Sequence, residues 1–194
     1  MTRTDIINKI IDHFGYEKYL EIGVCNKDLN FNKIKCKDKL GIDPDAKADV
    51  MTIDSNTFFY YNREAFDIIF IDGLHEKNQV HLDVLHSLSY LNSGGTILCH
   101  DMKPFNEITQ RVPRESSVWN GDCWKSWVKL RCENKHLEMF VLDTDHGCGI
   151  IRRGNQYLLD VKEEEITYEN LTKNMVSWLN LKPVSYLKEW LSKQ

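Results

Sequence analysis

Four polar residues stand just past two apolar runs in this chain of 194 residues. Asp72 and His75 follow Phe66-Asp67-Ile68-Ile69-Phe70-Ile71, and His100 and Asp101 follow Thr96-Ile97-Leu98-Cys99. An imidazole beside a carboxylate can take a proton from a hydroxyl at neutral pH. Two carboxylates supply hard oxygen donors of the kind that magnesium or calcium accepts. His75, His100 and Asp101 are therefore the candidate catalytic residues, and Asp72 and Asp101 the candidate metal ligands. Two histidines added to the same carboxylates would also suit a transition ion.

These residues work together only if the elements before them share one edge. Ile6, Ile7, Ile10, Ile11 and Phe14 recur at helical spacing and Gly15 supplies a stop, which predicts an amphipathic helix over the opening residues. Lys18 to Val24 is a short apolar run carrying Glu21 and Gly23, and Lys39 to Pro44 is a second run, ending in Asp43. The run at Phe66 is rich in β-branched and aromatic residues, as in strands buried on both faces near the centre of a parallel sheet. Val80 to Leu91 reads as a helix closed by Asn92-Ser93-Gly94-Gly95, before a strand over Thr96 to Asp101. A loop, a helix from Trp119 to Cys132, an antiparallel hairpin over Leu137–Leu142 and Gly147–Arg152, and a helix-rich tail from Glu163 complete the chain. Alternating strands and helices predict an α/β, Rossmann-like doubly wound sheet in one domain over residues 1–194, with ligands beyond the carboxyl ends of its strands.

Asp43 follows Glu21 by 22 positions, close to the spacing at which nucleotide-binding α/β folds place an acid against ribose hydroxyls. The segment after Gly23, Val24-Cys25-Asn26-Lys27-Asp28, lacks the further glycines that let backbone approach a pyrophosphate, which counts against NAD. A ribose-bearing ligand without phosphate, such as S-adenosylmethionine, needs less of that approach, and Glu21 would favour its ammonium end. The competing view is that Glu21 and Asp43 are only solvated strand ends.

Composition narrows the classes. Hydrophobic residues make up 42% and charged residues 28%, and the net charge of −4 comes without a basic run, so no nucleic-acid footprint is expected. No apolar run is long enough to span a membrane or serve as a signal peptide, so no membrane partner is expected and a cytoplasmic location is. Six cysteines without a CxxC pair read as reduced structural thiols, not a zinc site.

The chain resembles the class I S-adenosylmethionine-dependent methyltransferases, in particular the bacterial branch of macrocin and cephalosporin-cluster O-methyltransferases. The resemblance rests on Tyr19 through Val24, Gly41-Ile42-Asp43-Pro44, Phe66 through His75 (FDIIFIDGLH), Gly94 through Pro104 (GGTILCHDMKP), and Gly121 through Lys125. It implies a mostly parallel, seven-stranded sheet with a closing antiparallel hairpin. It also implies a cofactor edge where Glu21 and Gly23 meet the methionine part, Asp43 the ribose and Asp54 with Ser55 the adenine side, with Asp72 a further cofactor-binding residue at the same edge. In metal-dependent relatives such as catechol O-methyltransferase, the carboxylates matching Asp72 and Asp101 hold magnesium. There the next position is an asparagine ligand; here it is Met102. The implied activity is methyl transfer to a hydroxyl of a small molecule, a sugar included, with oligomeric state open and a homodimer among the options.

His13, His81, His86, His136 and His146 are read as loop or helix-end residues without a chemical role. Trp119, Trp124 and Trp127 could wall an acceptor pocket, but at helical spacing they read as core and are assigned no role, and Phe58 to Tyr61 read as either adenine-stacking or packing residues. A non-catalytic module that binds a nucleoside-like ligand, and another metal-assisted α/β enzyme, are the alternatives.

Overall fold

The computed structural model describes residues 1–194. The expected first helix is α1 (Arg3–Phe14), capped reciprocally by Thr2 and Asp5 and closed by Gly15 in the left-handed conformation. Its Ile6, Ile7, Ile10 and Ile11 are buried, each contributing about 1.5–3 kcal/mol of transfer free energy. The remaining helices are α2 (Ser55–Tyr61), α3 (Lys77–Ser89), α4 (Cys123–Glu133), α5 (Tyr168–Leu179) and α6 (Tyr186–Leu191).

The strands are β1 (Lys18–Ile22), β2 (Asp38–Asp43), β3 (Met51–Thr52), β4 (Phe66–Ile71), β5 (Leu91–Cys99), β6 (Leu137–Leu142), β7 (Cys148–Arg153) and β8 (Leu181–Lys182). They form one sheet in the order β3-β2-β1-β4-β5-β7-β6-β8, parallel except for β7, which runs antiparallel to both β5 and β6. Strand order reverses between β1 and β4, so the carboxyl ends of these two strands flank the switch point. Alternation along the strands feeds two cores. Ile69, Ile71, Ile97 and Met139 pack on the side of α4 and α5, while Ile68, Phe70, Leu98 and Phe140 pack on the side of α1 and α6.

Two expectations are corrected. The sheet has eight strands, not seven, and the β6–β7 hairpin does not close it, because β8 lies outside β6. β3 and β8 are two residues long, too short for a periodic signal. The helix expected to reach Leu91 ends at Ser89, and Asn92 to Gly95 belong to β5. The β4–β5 register shifts between Phe66 and Ile68, and Asn92 Nδ2 donates to Asp67 Oδ1 at 2.8 Å, which turns the apparent stop signal into a strand irregularity.

Candidate active site

The crevice starts where β1 ends. Gly23 has φ +84°, and a Cβ there would lie 2.3 Å from Gly73 Cα and 2.4 Å from the Asp72 carbonyl oxygen. Only a residue without a side chain lets the β1 and β4 ends meet backbone to backbone. The loop that follows is held from β2: Asp43 accepts from the Cys25 N–H on Oδ2 at 2.9 Å and from the Asp45 N–H on Oδ1 at 2.8 Å. Beyond these ends opens a cavity of about 710 Å³ whose lining includes all nine candidates: Glu21, Gly23, Asp43, Asp54, Ser55, Asp72, His75, His100 and Asp101. Asp54 also caps α2, and Ser55 donates to Asp83 Oδ1 at 2.6 Å.

Glu21 is no solvated strand end. It is 2% exposed, and its Oε2 accepts from the Tyr19 hydroxyl at 2.5 Å and from Asn30 Nδ2 at 2.9 Å. Burial pushes its pKa up to about 7, against the opposing pull of those two hydrogen bonds. No lysine or arginine side chain bonds this buried group.

Asp72, His75, His100 and Asp101 meet at the bottom of the crevice. His75 Nε2 lies 3.4 Å from both Asp72 Oδ1 and Asp101 Oδ2, and His100 Nδ1 lies 3.2 and 3.0 Å from the same two oxygens. Consecutive residues after a strand would normally diverge. Asp101 instead adopts φ +61°, and its carboxylate meets His100 in the crevice. His75 Nδ1 faces the Trp119 carbonyl oxygen at 3.0 Å, which directs Nε2 to the carboxylates.

Charge explains the protonation states. For His100, burial opposes the cation, but the Asp72 charge and hydrogen bonds to Asp101 and Asp145 outweigh it and hold the pKa well above the ordinary histidine range. Burial likewise opposes ionisation of Asp72, and the His100 charge with hydrogen bonds from both histidines holds it well below the carboxylate range. His75 is raised too, burial being outweighed by the Asp72 hydrogen bond and the two carboxylate charges.

Several crevice residues escaped the sequence reading. Arg3 comes from α1: its Nε lies 3.8 Å from Asp72 Oδ2, its Nη1 3.3 Å from His100 Nε2, and its backbone N–H donates to Asp145 Oδ2 at 2.6 Å. Asn120 Nδ2 donates to Asp101 Oδ1 at 2.5 Å. His146, read as a loop residue, lines the crevice with its ring 6.1 Å from that of His100. Trp124 and Trp127 are buried core, but Trp119 is half-buried, stacks on His75 at 5.2 Å and forms part of the crevice wall. The helix expected to begin at Trp119 begins instead at Cys123, which leaves Trp119 in the preceding loop and free to face the crevice. Phe58 and Phe59 pack in the core while Tyr60 and Tyr61 are exposed, and none of the four lines the crevice.

A parallel sheet with β7 inserted antiparallel, a crevice at the β1–β4 switch and acids ending β1, β2 and β4 make up a Rossmann-like α/β fold shared with solved methyltransferases. Residues 32–102 match the family model described as a methyltransferase domain. Among solved structures, an O-methyltransferase from Bacillus cereus in complex with SAH aligns at 15% identity and TM-score 0.53, over 78% of this chain and 80% of that one. TomG from Streptomyces achromogenes, an O-methyltransferase of tomaymycin synthesis in complex with SAM, aligns at 10% identity and TM-score 0.55, over 79% and 80%. MycE, a methyltransferase of the mycinamycin biosynthetic pathway in complex with Mg, SAH and mycinamycin VI, aligns at 16% identity and TM-score 0.50, over 76% of this chain and 48% of that one. No curated protein matches. No helix is long and apolar enough to cross a membrane.

Proposed function

We propose that this protein, acting as one domain over residues 1–194, transfers a methyl group from S-adenosylmethionine to a hydroxyl of a small molecule, sugar hydroxyls included. The observation that carries the reading is the convergence of Asp72, His75, His100 and Asp101 beside a crevice whose other end holds Glu21 and Asp43. The residues fit the cofactor: the buried carboxylate of Glu21 suits an ammonium group, and Asp43 keeps free lone pairs toward the crevice for ribose hydroxyls. Asp54 and Ser55 lie on the adenine side. When bound, S-adenosylmethionine supplies an already activated methyl group. The protein's part is then to position the acceptor, exclude water and take one proton.

His75 is the base in this reading. His100 is enclosed by Asp72, Asp101 and Asp145 and serves as a fixed cation, whereas His75 is more exposed. With His75 neutral, as a base must be, three carboxylates, Asp72, Asp101 and Asp145, face two cations, Arg3 and His100, and the cluster keeps one negative charge in excess. That excess fits a divalent cation held weakly on the Asp72 and Asp101 carboxylates, which leaves His75 Nε2 free to take the proton. Six unpaired cysteines support a cytoplasmic setting. The test is calorimetry with S-adenosylmethionine, its demethylated product and NAD, each with magnesium and with chelator. Binding of the first two and not of NAD is expected; binding of NAD alone would refute the reading.

Two results should follow at the cofactor edge. Asp43→Ala should weaken S-adenosylmethionine binding by about 1–3 kcal/mol, through a lost hydrogen bond to a charged group and a loosened Cys25 loop. Unchanged affinity in a folded variant would remove Asp43 from the ribose.

For Glu21, the folded pKa of about 7 lies above the ordinary 4.5. Its bound proton therefore stabilises the free protein fully below pH 4.5 and ceases to do so as pH rises through about 7, a change of about 3 kcal/mol. A cationic ligand group beside Glu21 lowers that pKa, so binding near pH 7 should release roughly half a proton and tighten as pH rises. Calorimetry in two buffers of different ionisation enthalpy measures this. Equal heats in both, or a release that persists in Glu21→Gln, would count against the placement.

A further inference from the structure

A second cavity, of about 410 Å³, lies between α3 and α4 and shares no lining residue with the crevice. Lys77 and His81 come from one face of α3, Ser126 and Lys129 from one face of α4, and Val161 and Ile166 add apolar wall. Two features make it more than a gap between helices. Ser126 is 2% exposed, yet its Oγ has no hydrogen-bond partner, and the buried Nδ1 of His81 has none either. Each orphaned polar atom is destabilising unless something that can hydrogen-bond fills the space.

The charges indicate what would fill it. Neither Lys77 nor Lys129 makes an ion pair or side-chain hydrogen bond, although Glu133 and Glu163 stand exposed at the rim; Lys125, the third lysine, is held by Asp122 at 3.3 Å. Burial and the Lys129 charge keep His81 below its ordinary pKa, so the two unpaired lysines are the cations available to a ligand.

We propose that this groove binds a small organic anion, its carboxylate or phosphate head on Lys77, Lys129 and the Ser126 hydroxyl and its apolar body over Val161 and Ile166. A cavity of this volume holds a metabolite of modest size.

The test follows backbone amide shifts of the full chain during titration with acetate, benzoate, inorganic phosphate and phenyl phosphate, with sodium chloride at matched ionic strength as control. Saturable shifts at His81 and Ser126 are expected, tighter for the phenyl-bearing member of whichever pair binds, and the preferred pair identifies the head. Lys77→Ala combined with Lys129→Ala should raise the apparent Kd about fivefold, as should Ser126→Ala, while the double arginine variant retains binding. Both lysines lack partners, so the double variant leaves the fold intact. Absence of saturation with all four probes, shifts that chloride reproduces, or an unchanged Kd in the alanine variants would overturn the proposal.

Discussion

Asp72→Asn is expected to lower methyl transfer to a hydroxylated acceptor by on the order of 10²–10⁴-fold, the scale set by general base catalysis. One carboxylate orients His75, holds His100 charged and anchors Arg3, so neutralising it disturbs three groups together. Breaking such a buried ionic cluster by removing one partner also costs about 3–5 kcal/mol, measurable by chemical denaturation. In the parent protein, full chelation should reduce turnover and magnesium alone should restore it, because the excess negative charge holds a cation weakly. Turnover that survives chelation would leave the step to His75 alone. An Asp72→Asn protein as active and as stable as the parent would remove the cluster from the chemistry altogether.

Gly23→Ala should be the most damaging single methyl in the chain's first strand turn. The added Cβ would meet the backbone of Gly73 at 2.3 Å and of Asp72 at 2.4 Å, atoms that no rotamer change can move. Adding left-handed strain to a forced separation of β1 from β4, we expect a loss above about 3 kcal/mol and loss of cofactor binding. Gly15→Ala is the control: its φ of +66° carries the same kind of strain, but nothing lies within 4 Å of the new Cβ. There the cost should be about 1 kcal/mol. Equal losses at the two positions would show that strain, not contact, sets the effect at Gly23.

The alternation of strands and helices, the centre of the sheet at Phe66 and the common edge of Glu21, Asp43, Asp72 and Asp101 were legible because each rests on a run longer than one period. β3 and β8 were not, since two residues carry no periodicity and owe their pairing to the strands beside them. Asn92 to Gly95 read as a stop because turn residues inside a strand irregularity look like turn residues anywhere. At the site, residues that follow strands were found by position. Arg3, Asn120 and His146 were missed for a common reason: each reaches the crevice from an element far away in sequence, and neither type nor spacing marks it. Asp101 and His146 owe their aim to positive φ, a property that side-chain identity alone does not announce.

The grip of the α1 segment on the β6–β7 turn constrains when the crevice can exist during synthesis. The Arg3 N–H bonds Asp145 across 142 positions, and the Thr144 hydroxyl bonds the Met1 carbonyl across 143. On the ribosome, β1, β2 and β4 can pair as they emerge, but His100 gains Arg3 and Asp145 only after residues past Asp145 have left the exit tunnel. Until then a nascent chain carries the Asp72–Asp101 pair without that bracing from both termini of the network.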